Sequence, residues 1–273
     1  MPEMLTSAEL DAFHEAGYHV ARQLLAADEV AEIRETFMAQ AAEGPVEGLS
    51  EASKAFAPDD PLARYPRMMH PHRHDDKAVG SLAMRHMLDE RVAAVLRDLL
   101  GEEPIAAQSM FYFKPPGSRG QDLHQDNFYL RVHPGTCMAA WFAIDDADRD
   151  NGGMVVVPGS HKYDVQCPKA SDRELFFTGD RVDPPAGTQE TPVDLAAGDV
   201  LFFNGSIIHG SYPNESADRF RRAFICHYAP RSCEEISKWY FPLYELTGQT
   251  VVRAEATGGG PCGDTGDAVT GPH

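Results

Sequence analysis

The chain has 273 residues, 42% of them hydrophobic and 24% charged, with a formal net charge of −18. That is an ordinary globular composition with room for a sizeable core. The acidic balance excludes a nucleic-acid surface or an anionic membrane as partner, since both need clustered Lys and Arg, and no apolar run approaches the roughly 20 residues that span a bilayer. Thr6-Ser7-Ala8-Glu9 reads as a capping box opening a helix, with Leu10 and Phe13 at helical spacing and Gly17 as its stop. Tyr18-His19-Val20 reads as a short strand. A second helix is expected from about Ala27 to Ala42, with Val30, Ile33, Phe37 and Met38 on one face, ended by Gly44-Pro45. Residues 44–80 look irregular, and His70, His72 and His74 within RYPRMMHPHRHDDK are expected to be solvated or to belong to a lid. A third helix is expected from Val79 to Leu100, stopped by Gly101.

From residue 104 the character changes. Short apolar runs separated by Gly, Pro and Asp follow: IAAQSMFYFK (105–114), FYLRV (128–132), CMAAWFAI (137–144), GMVVVP (153–158), DVLFFN (199–204), SIIHGS (206–211) and RAFICHY (222–228). This pattern predicts an all-β sandwich or barrel. The organisation expected is one domain over 1–250, with a helical N-terminal segment over 1–103, a β-core over 104–230 and an extension over 231–250. The Gly-rich end, 251–273, predicts disorder because it carries too few large apolar residues to offset chain entropy. Five scattered cysteines fit neither a disulfide framework nor a zinc pair, so reduced thiols are expected. MPEMLTSAEL lacks a basic segment followed by an apolar one, and the expected location is cytoplasmic.

Within QDLHQDNFYL, His124 and Asp126 stand two apart at what reads as a strand end, where side chains two apart share a face. A divalent metal needs a further ligand, and His209 in GDVLFFNGSIIHGS is the best candidate. Two histidines and one carboxylate form the facial triad of non-haem Fe(II) oxygenases. Zinc hydrolases also use His and carboxylate ligands, so the triad alone leaves the metal open. If the electrons come from 2-oxoglutarate, its distal carboxylate needs a buried cation, and the guanidinium fork fits best. Arg221 alternates with Ala223 and Ile225 on one strand face; Arg222 points the other way, and Arg219 lies nearer the turn. Alternation puts Trp141 on the face of Ala139, as either a core or a pocket aromatic. Asp145, Asp146, Asp148 and Asp150 read as a solvated acidic loop.

The motifs HQD, WFAIDDADRDNGGMVVVPGSHK, GDVLFFNGSIIHGS and RFRRAFICHY, in this order, resemble the phytanoyl-CoA dioxygenase family, which includes ectoine hydroxylase. The likeness covers most of 5–230. It implies a mainly β fold, a double-stranded β-helix (jelly-roll, cupin-like) with flanking N-terminal helices, and an Fe(II)- and 2-oxoglutarate-dependent dioxygenase that uses O2 and releases succinate and CO2. His124, Asp126 and His209 match the iron ligands. Arg221 matches the arginine of the 2-oxoglutarate carboxylate, with Arg219 as rival because the preceding turn looks one residue longer, and Ser211 matches the hydroxyl beside it. Gln108 or Met110, Gln125 and Trp141 match co-substrate pocket positions. In related halogenases the carboxylate position is a small residue, so Asp126 implies hydroxylation or a related oxidation. The substrate is expected to be a small metabolite or biosynthetic intermediate, lined by Asn127, Phe128 and Arg131, with the protein a monomer or homodimer. A metal-dependent hydrolase using the same triad and a non-catalytic β-helix binding protein are the alternatives.

Overall fold

The structure, a computed structural model, describes residues 4–51, 57, 59–257 and 260–262. Helix α1 (Ser7–Ala16) starts at Thr6, whose side chain accepts from the Glu9 amide while Glu9 accepts from the Thr6 amide, and it ends on Gly17 at φ 86°. Strand β1 (Tyr18–Ala21) follows, then α2 (Ala27–Ala42), which buries Val30, Ile33 and Phe37. A short helix, α3 (Pro61–Arg64), and β2 (Met68–Met69) lie in the stretch expected to be irregular. The single helix expected over 79–100 is two, α4 (Ala78–Met87) and α5 (Glu90–Leu100). Asp89 makes the break: its carboxylate accepts the Arg91 amide and satisfies a donor at the new helix start. The apolar periodicity runs on through the break and conceals it.

The core consists of two facing sheets. In the larger, β1, β10 (Val200–Asn204), β5 (Met138–Ala143), β12 (Ala223–Pro230) and β3 (Pro104–Tyr112) are antiparallel neighbours in that order. Strand β2 and then β14 (Leu243–Tyr244) with β15 (Thr250–Val251) add to it at β3. The smaller sheet runs β4 (Gln121–His124), β11 (His209–Ser211), β6 (Met154–Val156), β9 (Thr191–Val193). Two ribbons lie outside them: β7 (Lys169–Ala170) with β8 (Asp180–Arg181), and β13 (Glu235–Ile236) with β16 (Ala254–Glu255). The fold is the mainly β, double-stranded β-helix with N-terminal helices that was expected.

The larger sheet is buried on both faces. Phe111, Phe142, Phe202 and Phe224 pack with Phe37, Leu82 and Leu96 of the helices, and the Phe37 and Phe111 rings stack 4.0 Å apart. The alternate residues Met110, Trp141, Phe203 and Ile225 pack with Met154 and Val156 of the smaller sheet. Successive strand residues point to opposite faces, so two buried faces turn alternation into continuous apolar runs.

Three expectations fail here. FYLRV is not a strand: Asn127–Leu130 forms a helical turn, α6, and the chain reverses at Arg131 with φ 53°. The Asn127 side chain drives this, its Oδ1 accepting the Val132 amide at 3.0 Å. Cys167 and Cys262 are not reduced thiols but a disulfide, while Cys137, Cys226 and Cys233 are free and buried. Within the stretch expected to be a loose tail, Val251 closes β15 and Ala254–Glu255 forms β16; residues 258–259 and 263–273 of that expectation lie outside the described residues. Among the described residues no helix is long and apolar enough to cross a membrane.

Candidate active site

His124 closes β4, His209 opens β11, and the antiparallel register sets them opposite one another. Their rings stand side by side, centroids 4.2 Å apart. The His124 Nδ1 lies 2.7 Å from the Asp122 carbonyl oxygen, and the His209 Nδ1 lies 3.1 Å from that of Ile207. Each Nδ1–H donates to backbone, which turns each Nε2 lone pair inward, as metal-ligating histidines are held.

Asp126 reaches the same point by a different route from the one expected. It does not lie on the strand; it sits at φ −60° where α6 begins, so the turn after His124 delivers it. Its Oδ1 is 3.5 Å from both Nε2 atoms, and the three donor atoms lie within 4.8 Å of one another. All three residues are buried. Burial pushes the His209 pKa down to about 4, with Asp126 partly opposing it. Burial alone would raise the Asp126 carboxyl, but the imidazoles of His209 and His227 and the hydrogen bond from His227 outweigh it and hold it well below the carboxylate range. A neutral imidazole and an ionised carboxylate are the forms that bind metal.

A small cavity adjoins this group, and Met110, Tyr112, Trp141, Ser211, Arg221 and Ile225 line it. Arg221 is 1% exposed; its Nε donates to the Gly152 carbonyl at 2.9 Å, and its Nη1 has no partner among the described residues. Burial lowers its pKa to about 10, against the opposing pull of Tyr112 and Asp145. Beside it the Lys114 Nζ donates to Ser211 Oγ at 2.8 Å, the Tyr212 carbonyl at 2.6 Å and the Gly152 carbonyl at 3.3 Å. Burial, then the neighbouring Arg221, hold the Lys114 pKa well below its usual value. Among the described residues neither cation has a carboxylate within ion-pair distance. Gly152 permits this approach: at φ 85°, a Cβ there would lie 2.4 Å from Lys114 Cδ and 2.9 Å from the Tyr212 oxygen.

The other arginines are engaged elsewhere. Arg219 pairs with Asp148 at 2.7 Å on the surface, and Arg222 holds Asp145 with two bonds of 2.7 and 2.8 Å on the opposite face. Asp145 and Asp148 of the acidic loop are therefore ion-pair partners, whereas Asp146 and Asp150 are exposed, as expected. Trp141 lines the cavity, with the Arg221 guanidinium 5.3 Å from its ring centre. Ser211 and Met110 line it too. Gln108 is not among the lining residues; it lies opposite His227 in the β3–β12 register. The buried Gln125 side chain bridges the Ser206 carbonyl at 2.7 Å and the Gln166 amide at 2.8 Å, away from the cavity. Asn127 closes its own turn, Phe128 packs edge-on against Tyr129, and Arg131 carries the chain reversal; none of the three lines the cavity.

His70 and His72 are buried, not solvated, and His72 Nδ1 lies 2.6 Å from Ser109 Oγ. A second group, Glu29, His86 and Asp89, is close enough to share an ion, but Arg91 already engages both carboxylates at 2.6 Å. Sequence reasoning missed Lys114 and His227. The parity that put Arg221 and Ile225 inward also covers His227, two residues further on. Lys114 likewise continues the parity of Met110 and Tyr112, two residues beyond the end of β3.

The fold and site together define a jelly-roll protein with a buried two-histidine, one-carboxylate metal centre beside a cationic pocket. The chain belongs to the phytanoyl-CoA dioxygenase family, whose model matches residues 13–223. It is 34% identical over 127 residues to phytanoyl-CoA dioxygenase 1 of Oryza sativa subsp. japonica, covering 46% of this chain and 45% of that protein. It is 25% identical over 260 residues to phytanoyl-CoA dioxygenase of Arabidopsis thaliana, covering 82% and 88%. The chain thus spans about half the rice relative and most of the Arabidopsis one. Among solved structures it resembles SnoK, a non-haem α-ketoglutarate-dependent carbocyclase of nogalamycin biosynthesis, with TM-score 0.65, 21% identity and coverage of 85% and 87%. EctD of S. alaskensis, solved with 2-oxoglutarate and 5-hydroxyectoine, gives TM-score 0.63, 21% identity and coverage of 84% and 77%.

Proposed function

We propose that the protein is an Fe(II)- and 2-oxoglutarate-dependent dioxygenase that hydroxylates or otherwise oxidises a small-molecule metabolite or biosynthetic intermediate, with release of succinate and CO2. The observation that carries this reading is the buried Arg221–Lys114 pair beside the triad, two cations with no carboxylate of their own among the described residues. A buried charge is costly unless paired, so such a pocket calls for an anionic ligand. A hydrolase using the same triad has no need of it.

In this reading His124, Asp126 and His209 hold the iron, which supplies O2 activation coupled to decarboxylation of 2-oxoglutarate. Arg221 binds the distal carboxylate, and Ser211 and Lys114 add hydrogen bonds. Trp141 and Met110 bound the co-substrate and keep water from it. The protein's contribution is to bind, orient and shield. No substrate contact is proposed for Asn127 or Phe128, which the local turn and packing engage. We place the oxygenase domain at 1–250, as a monomer or homodimer. A cytoplasmic location is a separate proposal, and the Cys167–Cys262 bond weighs against it because structural disulfides persist in oxidising compartments.

The test is succinate release from 2-oxoglutarate by the purified protein with Fe(II), offered fractions of a metabolite pool. Oxygen-dependent succinate above the iron-free blank is expected. Protein that binds metal yet never consumes 2-oxoglutarate, whatever fraction is offered, sinks the proposal.

A further inference from the structure

One buried polar contact at the triad is still without a role. His227 Nε2 lies 3.0 Å from Asp126 Oδ2, and both side chains are 2% exposed. The two carboxylate oxygens are therefore divided: Oδ1 faces the Nε2 atoms of His124 and His209, and Oδ2 faces His227. We propose that His227 is a positioning residue for the metal centre, its Nε2–H donating to Oδ2 so that Oδ1 is held toward the point where the two imidazole lone pairs meet. This rests on the reading of His124, Asp126 and His209 as metal ligands.

Three observations carry it. The first is where each residue is anchored. Asp126 stands at the start of a four-residue helical turn, and its side chain makes no capping hydrogen bond there. A carboxylate's terminal torsion is broad, so a hydrogen bond to one oxygen bears on which oxygen faces the imidazoles. His227, by contrast, lies within β12, paired with Ala139 of β5 and Gln108 of β3 in the middle of the larger sheet. A rigid strand thus steadies a ligand carried on a short turn.

The second observation fixes the proton. His227 Nδ1 is buried without a partner among the described residues. An ionised carboxylate oxygen only accepts, so the Nε2 that lies 3.0 Å from it is the donor, and the bond is charge-assisted.

The third is the symmetry of support. The two imidazoles of the triad are each steadied by a backbone carbonyl on Nδ1. His227 gives the carboxylate the matching hold, and such outer partners of metal ligands typically contribute about 10–100-fold in metal affinity.

The experiment titrates Mn(II) alone into the metal-free protein, followed by electron paramagnetic resonance, with thermal unfolding of each metal-free variant. His227→Leu removes the donor; His227→Gln keeps an N–H near the Nε2 position. The leucine variant is expected to bind Mn(II) about 10–100-fold more weakly, and the glutamine variant to stay within about threefold of the parent. His227→Phe replaces the leucine variant should that one not fold. A folded apolar variant with parental Mn(II) affinity overturns the proposal. So does a folded glutamine variant as weak as the apolar one, since the hydrogen bond would then not be what matters. A parent protein that binds no Mn(II) overturns the metal reading itself, and this inference with it.

Discussion

Arg221 and Lys114 donate to the same acceptor, the Gly152 carbonyl oxygen, from 2.9 and 3.3 Å. Two buried cations sharing one backbone oxygen repel each other, and an incoming carboxylate relieves that repulsion while satisfying the open Arg221 Nη1.

Removing the guanidinium should therefore cost far more than removing its surface neighbour. Losing one partner of a buried, hydrogen-bonded charge pair costs ~2–5 kcal/mol, so Arg221→Ala should raise the 2-oxoglutarate dissociation constant by about 30-fold or more. Arg219→Ala, at a surface pair with Asp148, should change it by less than about threefold, since exposed ion pairs contribute little. Calorimetric titration with Mn(II) present measures both. The reverse ranking would make Arg219 the co-substrate arginine.

Gly152→Ala tests the backbone that brings the pair together. The positive φ costs roughly 1–2 kcal/mol for any non-glycine residue. The new Cβ also meets Lys114 Cδ and the Tyr212 oxygen, whereas at Gly187, with φ 83°, nothing among the described residues lies within 4 Å. Gly187→Ala should lose only the φ contribution. Gly152→Ala should lose more stability in urea unfolding and also bind 2-oxoglutarate less tightly. Equal losses at the two glycines would contradict the close-approach account.

Acid should destabilise the fold through its buried histidines. Burial, then the Arg73 charge, hold the His70 pKa at about 2 and the His72 pKa at about 3. In the unfolded chain both titrate near ~6.5. Below that pH the unfolded chain binds protons that the native protein does not. Their contribution is thus complete above about pH 6.5 and shrinks as pH falls toward the folded values. Each should cost on the order of 1 kcal/mol per pH unit between about pH 6 and 4.5, read from urea midpoints. A His70→Phe/His72→Gln variant should show a shallower decline; an unchanged slope would remove these two as the cause.

Much of the molecule was legible in residue order because its signals are local. The Thr6–Glu9 box, the Gly17 stop and the apolar face of α2 depend on neighbours three or four residues apart, and they appear where expected. The strand runs were legible because β-branched and aromatic residues cluster there. Where local signals compete, the reading failed. Phe128, Tyr129 and Leu130 have strand composition, yet Asn127 and the positive φ of Arg131 close them into a turn. Asp89 splits a continuous apolar face because one cap outweighs periodicity.

The sequence by itself determined the fold class, the identity of the residues with metal-binding chemistry and the inward parity of Arg221. Tertiary structure alone decided that Lys114 joins Arg221 at Gly152, that His227 meets Asp126 across 101 positions of chain, and that Cys167 finds Cys262. The reason is physical. Periodicity and capping are written in short-range neighbours, but a contact between distant segments depends on strand register and sheet packing, which no stretch of chain encodes alone.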